Sequence, residues 1–506
     1  MDTIEKCCDP SLTIKTLELN NFKINKQNVT VLTKAISLTT SLKILSLHGN
    51  CLDYSTINVL GNALKNNKTI EKLHIDSNNI GQNGAFVIAE VLKVNTTITS
   101  LDLSQVSIGK WGVKYLAEAL KINQTLITLE LKLNHIDKHG IKFLTDALIM
   151  NHTLKSINLF DNNISTAGIE HLCNLLKNNS TLQSLKLGNN KIGLDAIILL
   201  RKTLETNTTL TELDLSQNGK YGIKEAKHLA NIMITNQSIT SLNLSWNIVP
   251  VNFIINSLVI NKSIKTLVLK RIQFNLDTGP ILNNALGINC TLIDLDLSFN
   301  GICTNEIKYL ADALKVNTTL QKLDLGNNII GVDGLKYLVE SLKINKTLVV
   351  LDLSYNRCHD GELFCEMIET NNSIKKLNFV GNDIGKNYIR KLADLLKLNN
   401  TLIDLAFKSK GMGHHEIELL TQALEKNITL EKLSFKVNLF LNYTPEKINQ
   451  RLVVNKINKK RLACLQILCL KKIKRLGMID EMKRSNSAIY ESCLDKFDSF
   501  NYLKLF

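Results

Sequence analysis

The residues best suited to metal chemistry are two adjacent histidines and a glutamate in the sequence GMGHHEIE, residues 411–418. Neighbouring residues on a helix project about 100° apart, so His414 and His415 are poorly placed to hold one ion together. Eleven cysteines are scattered along the chain without a CxxC pair. Buried, reduced thiols explain them better than a zinc or redox site does. We therefore expect no metal site.

Motifs for catalysis and nucleotide binding are missing from the 506 residues. The sequence contains no GxxxxGK[ST], HExxH or GxSxG pattern and no protein-kinase motif set. These patterns place nucleophiles, metal ligands or phosphate-binding backbone in fixed geometries. Without them we expect no catalytic residues and no cofactor, and we predict that the chain is not an enzyme.

Acidic residues recur between the two apolar residues of sixteen Leu-x-Leu-like pairs. Seven of the sixteen intervening residues are acidic and one is Lys, although the chain carries a formal net charge of +15. If the pairs form neighbouring strands about 4.8 Å apart, these side chains make one row. The hypothesis is that this row, with Asp214, Asp296, Asp324 and Asp352, binds a basic partner surface. A solvated row of consensus residues is the alternative.

Three positions after these residues stand Trp246, Arg271, Phe299 and Tyr355. Aromatic side chains and arginine dominate binding hot spots, and aromatic residues make up only 5% of the chain. Pro250 lies nearby and should shorten a helix. The hypothesis is that residues 246–355 form a binding centre. The alternative is that these rings fill an irregular junction between units.

A repeat must position all of these residues. The first apolar residue of each pair, counted from Leu17 to Leu433, is followed by the next after 28 residues in twelve of fifteen intervals. Within one unit, TLQKLDLGNNII (residues 319–330) predicts a short strand and a turn, and residues 331–347 predict an amphipathic helix. Asparagine stands five residues after the anchor in twelve units, where its amide can bind open backbone groups.

The resulting pattern, LxxLxLxxNxIxxxGxxxLxxxLxxNxT, resembles the ribonuclease-inhibitor-like class of leucine-rich repeats over about residues 12–440. The resemblance implies an α/β solenoid shaped as a horseshoe, with about sixteen repeats, parallel strands on the concave face and helices on the convex face. We expect a solenoid over residues 1–440, with the unit near residues 12–40 as its N-terminal cap. Residues 441–506 should form a basic helical cap or tail. Fold alone does not identify the partner.

Asn-x-Ser/Thr triplets recur near the ends of the predicted helices, and they match the acceptor pattern for N-glycosylation. Their positions follow the repeat, so we interpret them as helix ends in which asparagine adopts the left-handed conformation. Triplets of this kind begin, for example, at Asn67, Asn95, Asn123, Asn151, Asn207, Asn317 and Asn345.

Residues 447–484 carry twelve Lys and Arg against two acidic residues. A basic amphipathic helix there could bind a membrane or an acidic partner, or it could cap the last repeat. No aromatic residues interleave with these bases, so nucleic acid is not the expected partner.

The predicted function is a protein–protein interaction scaffold that uses its concave face, such as an inhibitor or a host-directed effector. Two alternatives remain open: a regulatory activator of a small GTPase, and an adaptor that recruits machinery through its C-terminal helices. The N-terminus lacks a secretory signal, and no apolar run reaches the ~20 residues that span a bilayer. We therefore expect a cytoplasmic protein of undetermined oligomeric state.

Overall fold

A computed structural model describes residues 13–272, 274–275, 277–438, 441–442 and 448–456. The chain divides into two compact units, residues 1–384 and residues 385–506. Most of the basic segment 447–484 lies outside the described residues, so its role as cap or binding element stays a prediction. The predicted domain boundary near residue 440 also stays a prediction.

The described residues of the first unit form fourteen strands, each belonging to one repeat. They are β1 Thr16–Glu18, β2 Ile44–Ser46, β3 Lys72–His74, β4 Ser100–Asp102, β5 Thr128–Glu130, β6 Ser156–Asn158, β7 Ser184–Lys186, β8 Glu212–Asp214, β9 Ser241–Asn243, β10 Thr266–Val268, β11 Asp294–Asp296, β12 Lys322–Asp324, β13 Val350–Asp352 and β14 Lys376–Asp383. Each strand pairs in parallel with the next, and the anchor residues stand opposite one another, as Leu17 does with Leu45. This register stacks the repeats in chain order.

Helices alternate with these strands. They are α1 Lys26–Leu38, α2 Tyr54–Asn66, α3 Gly81–Leu92, α4 Gly109–Leu120, α5 Lys138–Leu148, α6 Ser165–Asn178, α7 Leu194–Leu204, α8 Ile223–Thr235, α9 Val251–Ser257, α10 Thr278–Ile288, α11 Thr304–Val316, α12 Gly331–Ile344 and α13 Gly361–Thr370. In α12 the predicted apolar face is buried, with Leu335, Leu338, Val339 and Leu342 each 0% exposed. Helix and strand leucines thus form one core, as the periodicity predicts.

The second unit repeats the same alternation. It contains a 3₁₀ turn at Lys386–Tyr388, α14 Ile389–Leu398, β15 Asp404–Lys408, α15 His414–Lys426, β16 Lys432–Asn438 and β17 Leu441–Asn442. β15 pairs in parallel with β16, and β17 is antiparallel to β16. Residues 448–456 are helical. Within each unit strands and helices alternate as the sequence predicts, and the sixteen strands that carry a repeat anchor confirm a leucine-rich-repeat fold of about sixteen repeats.

The asparagine that follows most strands hydrogen-bonds backbone groups left unpaired by the strands, as predicted. Asn134 is 0% exposed, and its Nδ2 donates to the carbonyl of Leu103 in the previous repeat at 2.7 Å. Its Oδ1 accepts from the backbone N–H groups of Val106 and Ile108 at 3.2 and 3.3 Å. The side chain therefore links two repeats where strand pairing stops.

The asparagine that ends each helix is also buried, but its predicted left-handed conformation is wrong. Asn67 has φ −69° and ψ 132°, which is extended backbone. Its Nδ2 donates to the carbonyl of Ile36 at 2.8 Å, and its Oδ1 accepts from the backbone N–H of Ile70 at 2.8 Å. The side-chain amide, rather than a left-handed backbone, joins the helix end to the neighbouring repeat. Its burial also opposes glycosylation.

Two other features of the sequence can be compared with the structure. Cys173 and Cys358 are buried as expected, whereas Cys51 and Cys290 are exposed. In the described part of the chain, no helix has both the length and the apolar character needed to cross a membrane.

Candidate functional site

The sheet of the first unit has one side covered by helices and another side that the helices leave uncovered, which we name the open face. Because strand side chains alternate, the residue between the two leucines of each pair lies on the open face. The predicted acidic residues Asp214, Asp296, Asp324 and Asp352 all occupy this position and are half-buried. Flanking strands shield them partly from water.

Three of these carboxylates lie on adjacent strands and form what we name the acidic cluster: Asp296, Asp324 and Asp352. In the strand register Asp324 stands opposite Asp296 on one side and opposite Asp352 on the other. Each Oδ1 accepts from the backbone N–H two residues later at 2.8 Å. These bonds fix the carboxylates at the point where each strand ends.

The central carboxylate of the cluster resists ionisation. Burial, together with the charges of Asp352 and Asp296, raises the pKa of Asp324 to about 6. The backbone N–H of Gly326 and the charge of Lys270 lower this pKa without cancelling the effect. A cation brought to the cluster would relieve the repulsion among the three carboxylates.

Asp214 is separate from the acidic cluster. Strands β9 and β10 lie between it and Asp296, and they present Asn243 and Val268 at the equivalent positions. Asn243 Nδ2 donates to Asp214 Oδ2 at 3.0 Å. The predicted row of acids is therefore interrupted: Asp102 stands opposite Glu130 in its first part, and the three carboxylates of the acidic cluster lie together in its second part.

The predicted residues at the strand ends form a second row beside the acidic cluster. Trp246, Phe299 and Tyr355 are 40%, 40% and 50% exposed, and Arg271 is exposed. We name these four residues the aromatic row. The backbone N–H of Trp246 donates to the carbonyl of Lys270 at 2.8 Å, and the other three make the same bond to the next repeat. The rings and the guanidinium are thus held at a fixed edge of the open face.

Every residue of the aromatic row has left-handed backbone. The φ angles are 60° at Trp246, 52° at Arg271, 61° at Phe299 and 55° at Tyr355. Bulky side chains are rare in this region, where they cost about 1–2 kcal/mol. In the other repeats of this unit the position has positive φ with mostly smaller or polar residues: Asn21, Gly49, Ser77, Gln105, Leu133, Asp161, Asn189, Gln217, Asn327 and Gly381.

Contacts between neighbouring repeats order the aromatic row. The Arg271 guanidinium carbon lies 4.4 Å from the centroid of the Trp246 ring, and Lys270 Nζ lies 4.7 Å from that of Phe299. These distances are typical of cation–π pairs. A Cβ on Gly381 would lie 2.5 Å from Cδ1 of Tyr355, so this ring rests on the backbone of the next repeat.

The irregular spacing near the aromatic row coincides with a short helix. Pro250 stands directly before α9, which has only seven residues. The shortened helix leaves a groove of about 520 Å³ on the helix side, lined in part by Phe253, Ile260 and Ile281. The rings of the aromatic row lie at the strand ends instead, so they do not fill this groove.

Sequence reasoning missed a cluster of two histidines and two aspartates on the open face, at β2–β4. His48 Nδ1 lies 2.6 Å from Asp76 Oδ2, and His74 Nδ1 lies 3.9 Å from Asp102 Oδ2. The signal was present in the repeat register, because His74 and Asp102 occupy one column of the open face and His48 and Asp76 the next.

Sequence reasoning also missed an exposed apolar row at the C-terminal ends of the helices. It consists, in several repeats, of an apolar residue immediately before the helix-ending asparagine. Its members in the later part of the first unit are Ile260, Ile288, Val316 and Ile344, which are 50–63% exposed.

One comparison, with a family model, supports the repeat. A family model described as Leucine Rich repeat matches residues 66–89, 151–173, 178–200, 206–219 and 316–339. A solved structure titled leiomodin-1 actin-binding site 2 is 22% identical, with 35% of this chain and 87% of that chain covered and a TM-score of 0.26. No curated protein sequence gave a significant match.

Proposed function

We propose that this chain, in which a leucine-rich-repeat family model matches five segments, is a scaffold that holds a protein partner on its open face at residues 246–355. Proteins of this family are generally binding scaffolds rather than enzymes. Their stacked repeats offer a long ordered surface.

The observation that carries this proposal is the aromatic row. Its bulky side chains occupy left-handed positions where most other repeats have Asn, Gly, Ser or another polar residue. Strained residues that also remain exposed are typical of binding sites, because a partner can supply the contacts that the fold does not. Aromatic side chains and arginine are the residue types that contribute most to protein interfaces.

The acidic cluster indicates the chemistry of the partner. Asp296 and Asp352 stand three residues before Phe299 and Tyr355 in the same repeats. Asp324 lies between the two aspartates, so an apolar contact and a charged contact can form together. A lysine or arginine of the partner would favour ionised Asp324 and lower its raised pKa. We infer a partner surface that presents basic side chains next to apolar ones.

Affinity capture with the full chain tests the proposal. The variant Trp246→Ala/Tyr355→Ala removes two rings of the open face, and Trp111→Ala/Tyr337→Ala removes two rings of helices α4 and α12 with similar exposure, 47% and 40%. We expect the first variant to bind the partner at least tenfold more weakly than the wild type does, whereas the second variant should keep the wild-type affinity. Unchanged capture by the first variant, with its circular dichroism intact, would refute the proposal.

A second experiment distinguishes the proposed function from the two alternatives. A chain that ends at residue 440 should retain the partner if the open face binds it. Loss of every partner on truncation would instead favour an adaptor that acts through its C-terminal helices. Acceleration of GTP hydrolysis by a captured small GTPase would favour the regulatory alternative.

A further inference from the structure

We propose that His74, Asp76 and Asp102 form a binding site for a divalent transition metal, specifically Zn²⁺, and that His48 positions Asp76 within it. The site lies on the open face at β2–β4, and the aromatic row lies at β9–β13. It is therefore independent of the proposed partner site.

The donor set has the chemistry that Zn²⁺ prefers. Imidazole nitrogen and carboxylate oxygen are both zinc ligands, and catalytic zinc sites have three protein ligands with a further position for water or a second molecule. One ligand atom from each of His74, Asp76 and Asp102 lies within 4.8 Å of the others. Zinc bonds of about 2.0–2.2 Å at tetrahedral angles hold ligand atoms about 3.3–3.6 Å apart, so the side chains would have to move by about 1 Å to bind one ion together.

The strands hold these three residues at fixed positions. His74 stands opposite Asp102 in the register of β3 and β4. Asp76 follows His74 by two residues and therefore lies on the same face. All three side chains are half-buried, which leaves the cluster open to an ion from solvent.

His48 supplies the support that metal ligands commonly need. Its Nδ1 lies 2.6 Å from Asp76 Oδ2, so a donated hydrogen bond fixes the orientation of this carboxylate. Partners of this kind around a metal site typically change metal affinity by about 10–100-fold when they are removed. His48 is therefore a positioning residue.

The repeats provide an internal comparison that argues against a consensus origin. At the position of His74 the thirteen other repeats of the first unit have no histidine. At the position shared by His48 and Asp76, no other repeat of the first unit has a histidine or an acidic residue. Three departures from the repeat thus meet in two adjacent units, beside Asp102.

Calorimetric titration of the full chain with Zn²⁺ tests the site, after any purification tag is removed. We expect one bound equivalent that His74→Gln and Asp76→Asn each weaken by more than about 100-fold, and that His48→Gln weakens by about 10–100-fold. His139→Gln is the matched control, because His139 is exposed on α5 and away from the cluster. It should bind like the wild type.

Absorption spectra of the Co²⁺ form identify the ligands. Nitrogen and oxygen ligands should give visible bands without the near-ultraviolet charge-transfer band of thiolates, which separates this site from the cysteines. Circular dichroism checks that each variant folds. The proposal is refuted if the wild type binds no equivalent of metal, if folded His74→Gln or Asp76→Asn binds as tightly as the wild type, or if the ligands prove to be thiolates.

Discussion

Replacing Asp324 by asparagine should stabilise the protein at neutral pH. The pKa of Asp324 is about 6 in the folded chain, mainly because of burial and the charges of Asp352 and Asp296. An aspartate in an unfolded chain has a pKa of about 3.9. A carboxyl whose pKa rises on folding reduces stability as the pH increases from about 4 through 6, and the full penalty is present above pH 6.

The size of the effect follows from the shift. Two pKa units correspond to about 3 kcal/mol, and screening at a half-exposed carboxylate reduces this to about 1 kcal/mol. Asparagine can keep the hydrogen bond with Gly326, because Asn243 and Asn378 accept the same backbone bond at equivalent positions. The substitution therefore removes the charge with little change in geometry.

Urea unfolding of wild type and Asp324→Asn at pH 4 and pH 8 measures this difference. We expect the variant to be about 1 kcal/mol more stable at pH 8 and nearly equal to the wild type at pH 4. Asp214→Asn is the matched control, since Asp214 lies outside the acidic cluster and accepts from Asn243. A variant that is less stable at pH 8, or a difference that does not depend on pH, would refute the reasoning.

Three further substitutions test the framework. Asp53→Ala should cost about 1 kcal/mol at pH 7, because Asp53 caps α2. Bonds from the Thr56 backbone and side chain lower its pKa to about 2, so urea unfolding should show this difference disappearing between pH 4 and pH 2. Asn134→Ala should lower the free energy of unfolding by at least about 2 kcal/mol in the same assay, because three buried backbone groups lose their partner. No measurable loss of stability would contradict the role of this side chain in linking two repeats. Gly381→Ala should displace the ring of Tyr355, and a crystal structure with that ring in place would contradict this contact.

The fold follows closely from the sequence because the repeat supplies the same information many times. The strand leucines, the following asparagine and the helix leucines all have the positions that their periodicity predicts. The left-handed conformation predicted for Asn67 was wrong for a definite reason. A single triplet does not show that the amide reaches the carbonyl of Ile36 in the preceding repeat, and this contact, rather than left-handed backbone, closes the helix.

The candidate sites could be predicted from the sequence less completely than the fold, because they depend on which side chains of neighbouring repeats lie in contact. Reading the column between the leucines located Asp296, Asp324 and Asp352, but Asn243 and Val268 separate Asp214 from them. The strain of the aromatic row is a backbone property that sequence alone does not reveal. The cluster around His74 required two columns to be compared side by side.

Site-specific photocrosslinking most directly tests the claim that the open face binds the partner. Benzoylphenylalanine would replace either Phe299 of the aromatic row or Tyr337 of α12, and both native residues are 40% exposed. We predict that the partner crosslinks to the chain modified at residue 299 and not to the chain modified at residue 337. Crosslinking at residue 337 alone would contradict the account and place the interface on the helices.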